Sequence, residues 1–305
     1  MDIKVIYHFM PWEIDYALLT FTQLKKSKYY LSKDINITID SVLNLSSYVI
    51  DWEKSPLSKD FFIKKYDALS LLLKDYNHNK KVYKGNNLYG HLDNHRESVG
   101  EEFDYYIAIA PDMYFSEHLL YYLCESVKNI KNDYFVLTPQ ISKLWDSTWD
   151  EITDPNYLNI DYNNWDKVDT FDIRYNLKNQ DQDINLYPTK NNKWAGWFDL
   201  YSKAFYEDLA PIHQDWRGYG PWDWYSMMLS QYAKQNGVDF QQYLLKGQTI
   251  FEYSVGPLKE INGFSQYYKD MLVLNDTPNQ RKQFESKMNE YLNKGVQMLK
   301  QKNIL

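Results

Sequence analysis

The chain has 305 residues, of which 44% are hydrophobic and 25% charged, with a formal net charge of −7. This is enough apolar material for one large α/β domain, or one domain with an appendage, and it excludes a disordered chain. There is no long Lys/Arg stripe of the kind nucleic acid requires, and the single cysteine, Cys124, rules out an intrachain disulfide or a multi-cysteine zinc site.

The start, MDIKVIYHFMPW, lacks the basic and apolar regions of a signal peptide. No run of about 18 apolar residues occurs. A cytoplasmic protein without a transmembrane segment is expected. Aromatics reach 17%, with 29 Tyr and 10 Trp. Tyr and Trp combine an apolar ring with a polar handle, which suits the apolar faces of sugars. A compositional bias rich in Asn, Lys, Tyr and Ile accounts for the same excess.

Residues Ile3–Phe9 read as a buried strand broken by Pro11. A helix follows over Ile14–Ser27, with Leu18, Leu19, Phe21 and Leu24 on its inner face. Ile35–Leu45 reads as a second strand and 57–75 as a second helix, carrying Phe61, Phe62, Tyr66 and Leu69 at helical spacing. This alternation from the N-terminus predicts a parallel α/β sheet. A polar loop, KGNNLYGHLDNHRESVG, precedes Tyr105–Ala110, a short apolar run that fits a fully buried central strand. Pro111-Asp112 ends it, and a helix runs from Ser116 to about Val127. Asp133–Thr138 reads as a further strand, closed by Pro139.

Residues 140–192 lose periodicity and read as an irregular insertion, suited to an acceptor site or a lid. Order returns at Trp194–Leu200, then in a helix over 222–235, a strand over Gln248–Ser254, and an amphipathic helix over about 278–302. The expected organisation is one domain over 1–265, with a helical extension over 266–305 packed on it.

Two constellations carry chemistry. The first is Ala110-Pro111-Asp112 at the carboxyl end of a buried strand, where open α/β sheets bind ligands. A carboxylate there can hold a hard cation that in turn holds a diphosphate; by spacing alone it equally fits a cap on the next helix. The second lies within WAGWFDLYSKAFYEDLAPIHQDWRGYGPWDWY, where Asp223 stands between Trp222 and Trp224 at a helix start. It fits a general base walled by indoles, and equally an acid favoured by the helix dipole with the indoles as core. His91 and His95 stand at i, i+4 in a loop, without an HExxH pattern. Neither a P-loop, a G-x-G-x-x-G nor a G-x-S-x-G occurs.

In order and spacing, IKVIYHFMPW with LLTFTQLKKS, then YYIAIAPDMYF, then AGWFDLYSKAF and GYGPWDWYSMM, the chain resembles the GT-A type nucleotide-sugar glycosyltransferases, family two above all, over roughly residues 3–255. The resemblance implies an open, mostly parallel Rossmann-like sheet flanked by helices. It implies transfer of a sugar from a nucleotide-diphosphate donor, a UDP- or GDP-sugar, to a glycan acceptor hydroxyl, with inversion. Asp112 would match the second Asp of the Asp-x-Asp motif and hold Mn²⁺ or Mg²⁺, and Asp223 would match the catalytic base. Pro11, Trp12, Glu13, Asn44, Asp51 and Arg96 would line the donor nucleotide, and Gly196, Trp197, Trp222 and Trp224 the acceptor.

Three departures weaken the metal expectation: Ala110 replaces the first Asp, Trp222 replaces the Glu before the catalytic Asp, and IFEYSVG offers Glu252 and Tyr253 where a His is usual. A catalytically degenerate sugar- or nucleotide-binding protein and a glycoside hydrolase stand as the alternatives.

Overall fold

The computed structural model describes residues 1–47, 50–84, 97–144, 147–158, 185–194, 198–213, 222–252 and 278–305. Among the described residues, nine strands form one sheet: β1 (Asp2–Phe9), β2 (Asn36–Asn44), β3 (Asn77–Tyr83), β4 (Tyr105–Ile109), β5 (Met113–Tyr114), β6 (Tyr134–Ile141), β7 (Asn185–Pro188), β8 (Phe198–Ser202) and β9 (Phe240–Glu252). The order is β3-β2-β1-β4-β8-β6-β9-β5, with β7 also pairing β9. β1, β2, β3 and β4 run parallel, and β6 runs parallel to β9. β8 lies antiparallel between β4 and β6, so these two parallel blocks point the same way. The open, mostly parallel Rossmann-like sheet flanked by helices, expected from the sequence, is present.

The helices are α1 (Ile14–Ser27), α2 (Lys59–Ser70), α3 (Leu119–Val127), α4 (Trp222–Gln235) and α5 (Pro278–Gln301). Alternation along each strand separates two cores. Ile3, Val5, Tyr7 and Phe9 of β1 face a core built with α1, α2 and α3. Ile6, Tyr106, Ala108, Val136 and Tyr201 face a second core closed by α4 and α5. α1 meets the first core through Ile14, Ala17, Phe21 and Leu24, at helical spacing. Ser58 caps α2 by accepting from the Phe61 N–H at 3.2 Å.

The structure corrects several boundaries. β3 fills a stretch without a predicted element. NHNKKVY is polar because β3 is the edge strand, where lysines guard against further pairing. β6 does not stop at Pro139 but continues to Ile141, across a register shift against β9 between Pro139 and Gln140. A proline is tolerated at such an irregularity because no regular ladder bond is lost. β9 starts at Phe240 rather than Gln248, and the shift falls at Lys246-Gly247-Gln248. Gly247 takes φ +89°, a conformation that favours glycine, and its N–H donates to Gln140 Oε1 at 2.7 Å. Within 140–192, short 3₁₀ turns at Ser147–Trp149 and Pro155–Tyr157 and strand β7 are present, and residues 159–184 lie outside the described residues.

Tyrosine richness goes largely into packing. Tyr7, Tyr66, Tyr106, Tyr201, Tyr206, Tyr225 and Tyr291 are among the largest fully buried side chains. The hydroxyls of Tyr7, Tyr66, Tyr106 and Tyr201 find internal acceptors, such as Ser41 O for Tyr66 at 2.6 Å. α5 lies on α4, where His213 stacks on Tyr291 with ring centroids 5.4 Å apart. Its Nε2 is 2.9 Å from the Tyr225 hydroxyl. Cys124 sits fully buried on α3, inside the first core, and burial pushes its thiol up to about 12. No helix among the described residues is long and apolar enough to cross a membrane.

Candidate active site

The chain leaves β1 to build β2 and β3 on one side, then returns to lay β4 on the other side of β1. Between β1 and β4 the winding reverses, and at such a point the carboxyl ends of the strands splay into a crevice. The residues that follow these two strands are Pro11-Trp12-Glu13 and Pro111-Asp112.

Pro11–Glu13 forms a 3₁₀ turn in which the fixed φ of Pro11 suits the first position. The Glu13 carboxylate turns back to accept the Met10 N–H at 2.7 Å, which fixes its direction. Burial, and then the charge of Asp112, push the Glu13 carboxyl up to about 8 despite that bond. Asp112 is pushed up to about 7, by burial first and then by Glu252. The capping alternative for Asp112 does not hold. β5 intervenes, and the turn into α3 is made by Ser116, whose Oγ accepts the His118 N–H at 3.1 Å.

Two further groups reach this crevice from distant sequence. Glu252, the last residue of β9, lies opposite Met113 in the β5–β9 ladder, next along the chain from Asp112. Lys143, two residues past β6, pairs with Glu252 at 2.5 Å, and the two side chains are 14% and 15% exposed. The Lys143 charge lowers both Asp112 and Glu252 against the stronger effect of burial. Tyr7 adds its hydroxyl beneath, donating to Pro111 O at 3.4 Å.

The remaining residues divide. Asp223 stands in the first turn of α4 and is half-buried. Burial pushes it up to about 6, against backbone N–H groups at the helix start that hold the charged form. The Tyr201 hydroxyl feels its charge and donates to Asp199, a buried acid on β8, at 3.3 Å. Trp224 is half-buried at the edge of the second core. Trp222 is 7% exposed, and its Nε1 donates to Ala210 O at 2.9 Å, so its ring belongs to the packing of that core. Asn44 is fully buried and accepts the Ser46 N–H at 2.9 Å, shaping the turn after β2. Asp51 pairs with Lys54 at 2.7 Å in a local turn, and that bond holds its carboxyl below the usual range. Arg96, Gly196, Trp197, His91, His95 and Tyr253 lie outside the described residues.

Lys143 and Asp199 were not singled out from the sequence. Nothing local marks Lys143 within ISKLWDS. Only its place just beyond a strand's carboxyl end carries a signal, and the expected end at Pro139 hid that place.

The donor set fits a resident divalent cation poorly. The alanine at 110 offers no oxygen from its side chain, the acid nearest Asp112 along the β5–β9 ladder is already tied to an ammonium, and Glu13 is held by a backbone N–H. Among the described residues, no three His, Cys, Asp or Glu side chains come together closely enough to hold a metal. The protein by itself therefore offers no cage for a hard cation, and Mg²⁺ or Mn²⁺ there would need water and phosphate oxygens to complete its shell.

No protein-family model matches the sequence, and none of the curated proteins is significantly similar to it. Solved structures resemble it in backbone course. Residues 1–349 of S. aureus TarS in complex with UDP-GlcNAc match at 11% identity and a TM-score of 0.45, over 98% of this chain and 72% of that one. The larger S. aureus TarS structure matches at 10% identity and a TM-score of 0.46; the chain covers 43% of it. Glucosyl-3-phosphoglycerate synthase from Mycobacterium tuberculosis, in complex with phosphoglyceric acid, matches at 11% identity and a TM-score of 0.44, over 89% of this chain and 77% of that one. At such distances a shared backbone course carries no chemistry, which has to come from this chain's own side chains.

Proposed function

We propose that the chain is a glycosyltransferase that moves a sugar from a nucleotide-diphosphate donor to an acceptor hydroxyl. The observation that carries this reading is the convergence of Glu13, Asp112, Glu252 and Lys143 on the crevice at the β1/β4 switch point, where a nucleotide lies in sheets of this kind. The donor diphosphate lies at Asp112 and Lys143, with the nucleoside toward Pro11, Trp12 and the turn after Asn44. The insertion over 140–192 shapes the acceptor side, beside Trp224.

Asp223 acts as the base. Its carboxylate, at about 6, is mostly ionised at neutral pH and still basic enough to take a proton from a hydroxyl under attack. The acceptor oxygen attacks the anomeric carbon and its proton passes to Asp223. The bond from that carbon to the diphosphate oxygen breaks, and the leaving nucleoside diphosphate keeps the electron pair. Direct displacement inverts the anomeric centre.

Thermal-shift measurements against UDP-, GDP-, CMP- and dTDP-sugars test the donor half. A ligand at 100 times its Kd stabilises the fold by ~2.7 kcal/mol. Asp223→Asn should leave that shift intact and lower turnover by about 100-fold or more. Turnover that survives the change removes Asp223 from the mechanism. A chain indifferent to every nucleotide, yet active in hydrolysing a glycoside, would replace the transferase reading with the hydrolase.

A further inference from the structure

Resting on the transferase reading, we propose that Lys143 supplies the positive charge on the donor diphosphate that a divalent cation would otherwise supply, and that Glu252 holds Lys143 in place. The enzyme then works without a metal.

The sheet builds this arrangement. β6 and β9 are parallel neighbours, with Ile141 opposite Ile250, so both release the chain at the same edge. Lys143 and Glu252 leave together and meet at 2.5 Å, mostly shielded from water. Main-chain pairing of Glu252 with Met113 then puts the ion pair beside Asp112. The ladder register fixes the place, so the ammonium is positioned before any ligand arrives.

Charge and chemistry agree with this placement. Asp112 and Glu252 both feel the Lys143 charge. A divalent cation bound by those two acids would sit against the ammonium, and like charges in that partly desolvated place repel. Lysine and metal therefore exclude each other here, and the lysine is the one built into the chain. An ammonium has three donors, so it can serve Glu252 and phosphate oxygens together. The alanine at 110, which removes a metal ligand, is then no defect: a further carboxylate there would add negative charge against the diphosphate.

Calorimetric titration with UDP, GDP and inorganic pyrophosphate, each in excess EDTA and then in Mn²⁺ or Mg²⁺, tests the assignment. The wild-type chain should bind a nucleoside diphosphate in EDTA, with affinity changing less than about threefold on adding metal. Lys143→Met should weaken that binding by tenfold or more, and Lys143→Arg should keep most of it. Lys143→Met/Glu252→Gln, which also removes the carboxylate that Lys143 pairs with, should show the same loss with a melting temperature near wild type. Wild-type binding that requires metal, or Lys143→Met binding as tightly as wild type, overturns the proposal. Pyrophosphate binding lost with Lys143, where no nucleotide binds at all, would keep the phosphate role of Lys143 and sink the transferase reading. Absence of every one of these ligands from the wild type sinks both.

Discussion

Glu13→Gln should make the protein more stable in mild alkali. The Glu13 carboxyl stands at about 8 in the folded chain against an ordinary value of 4.5, chiefly because it is buried. The folded state therefore holds that proton more tightly than the unfolded state does. Its contribution to stability is complete below pH 4.5 and drains away as pH rises toward 8. At 1.36 kcal/mol for each pH unit, the loss reaches ~4 kcal/mol by pH 8. That is a large share of the 5–15 kcal/mol typical of a folded domain. Glutamine removes the titration and keeps an oxygen to accept the Met10 N–H now bound at 2.7 Å. Urea denaturation of both proteins at pH 5, 6, 7 and 8 measures the effect. The two should agree within about 1 kcal/mol at pH 5 and separate by ~2–4 kcal/mol at pH 8, the variant being the more stable. Asp112, raised to about 7 by the same burial, leaves a smaller decline in the variant. Curves that stay parallel across this range would show that Glu13 ionises as freely as in the unfolded chain, so that its carboxyl is not shielded from water beside Asp112.

Two further outcomes are expected. If Asp223 is the base, kcat/KM should rise with pH as its carboxyl ionises and level off above about 6, and a flat profile between pH 5 and 7 would remove it. Gly295→Ala should destabilise the fold by up to ~2 kcal/mol net, because a methyl group there would lie 2.9 Å from Leu229 Cδ2 and closer still to the Tyr225 hydroxyl, against a helix-propensity gain of ~1 kcal/mol; a urea midpoint raised by that full gain would show that α5 is not packed on α4 at that point.

The fold was legible where hydrophobic pattern and punctuation agree. β1, Pro11 and α1 form a central strand, a proline break and an amphipathic helix, and all three lie where the residues predict. β3 was hidden because an edge strand has little to bury. The second half of β6 was hidden by Pro139, and the first half of β9 by the polar Gln241 and Gln242, whose amides are used inside the sheet, Gln242 Nε2 donating to Thr138 Oγ1 at 3.1 Å. At the site, Glu13 and Asp112 could be read from their positions just past strand ends. Lys143 and its partnership with Glu252 could not, since the two stand 109 positions apart in the chain and only the β6–β9 register brings them together. Trp222 looked like a platform for a sugar because an indole beside an acid reads the same whether it faces solvent or core.

The solitary thiol of Cys124 gives this molecule an internal clock. A thiol reagent acts on the thiolate, and a group both fully buried and raised to about 12 offers almost none while α3 stays docked. Modification must then wait for the chain to open, and its rate reports the opening equilibrium of the core behind α1 and α3. The same silence leaves the rest of the surface free for probes. A cysteine engineered on β7 or α4 could carry a fluorophore without first removing the native one, and the two halves of the sheet could be followed separately as a nucleotide is added.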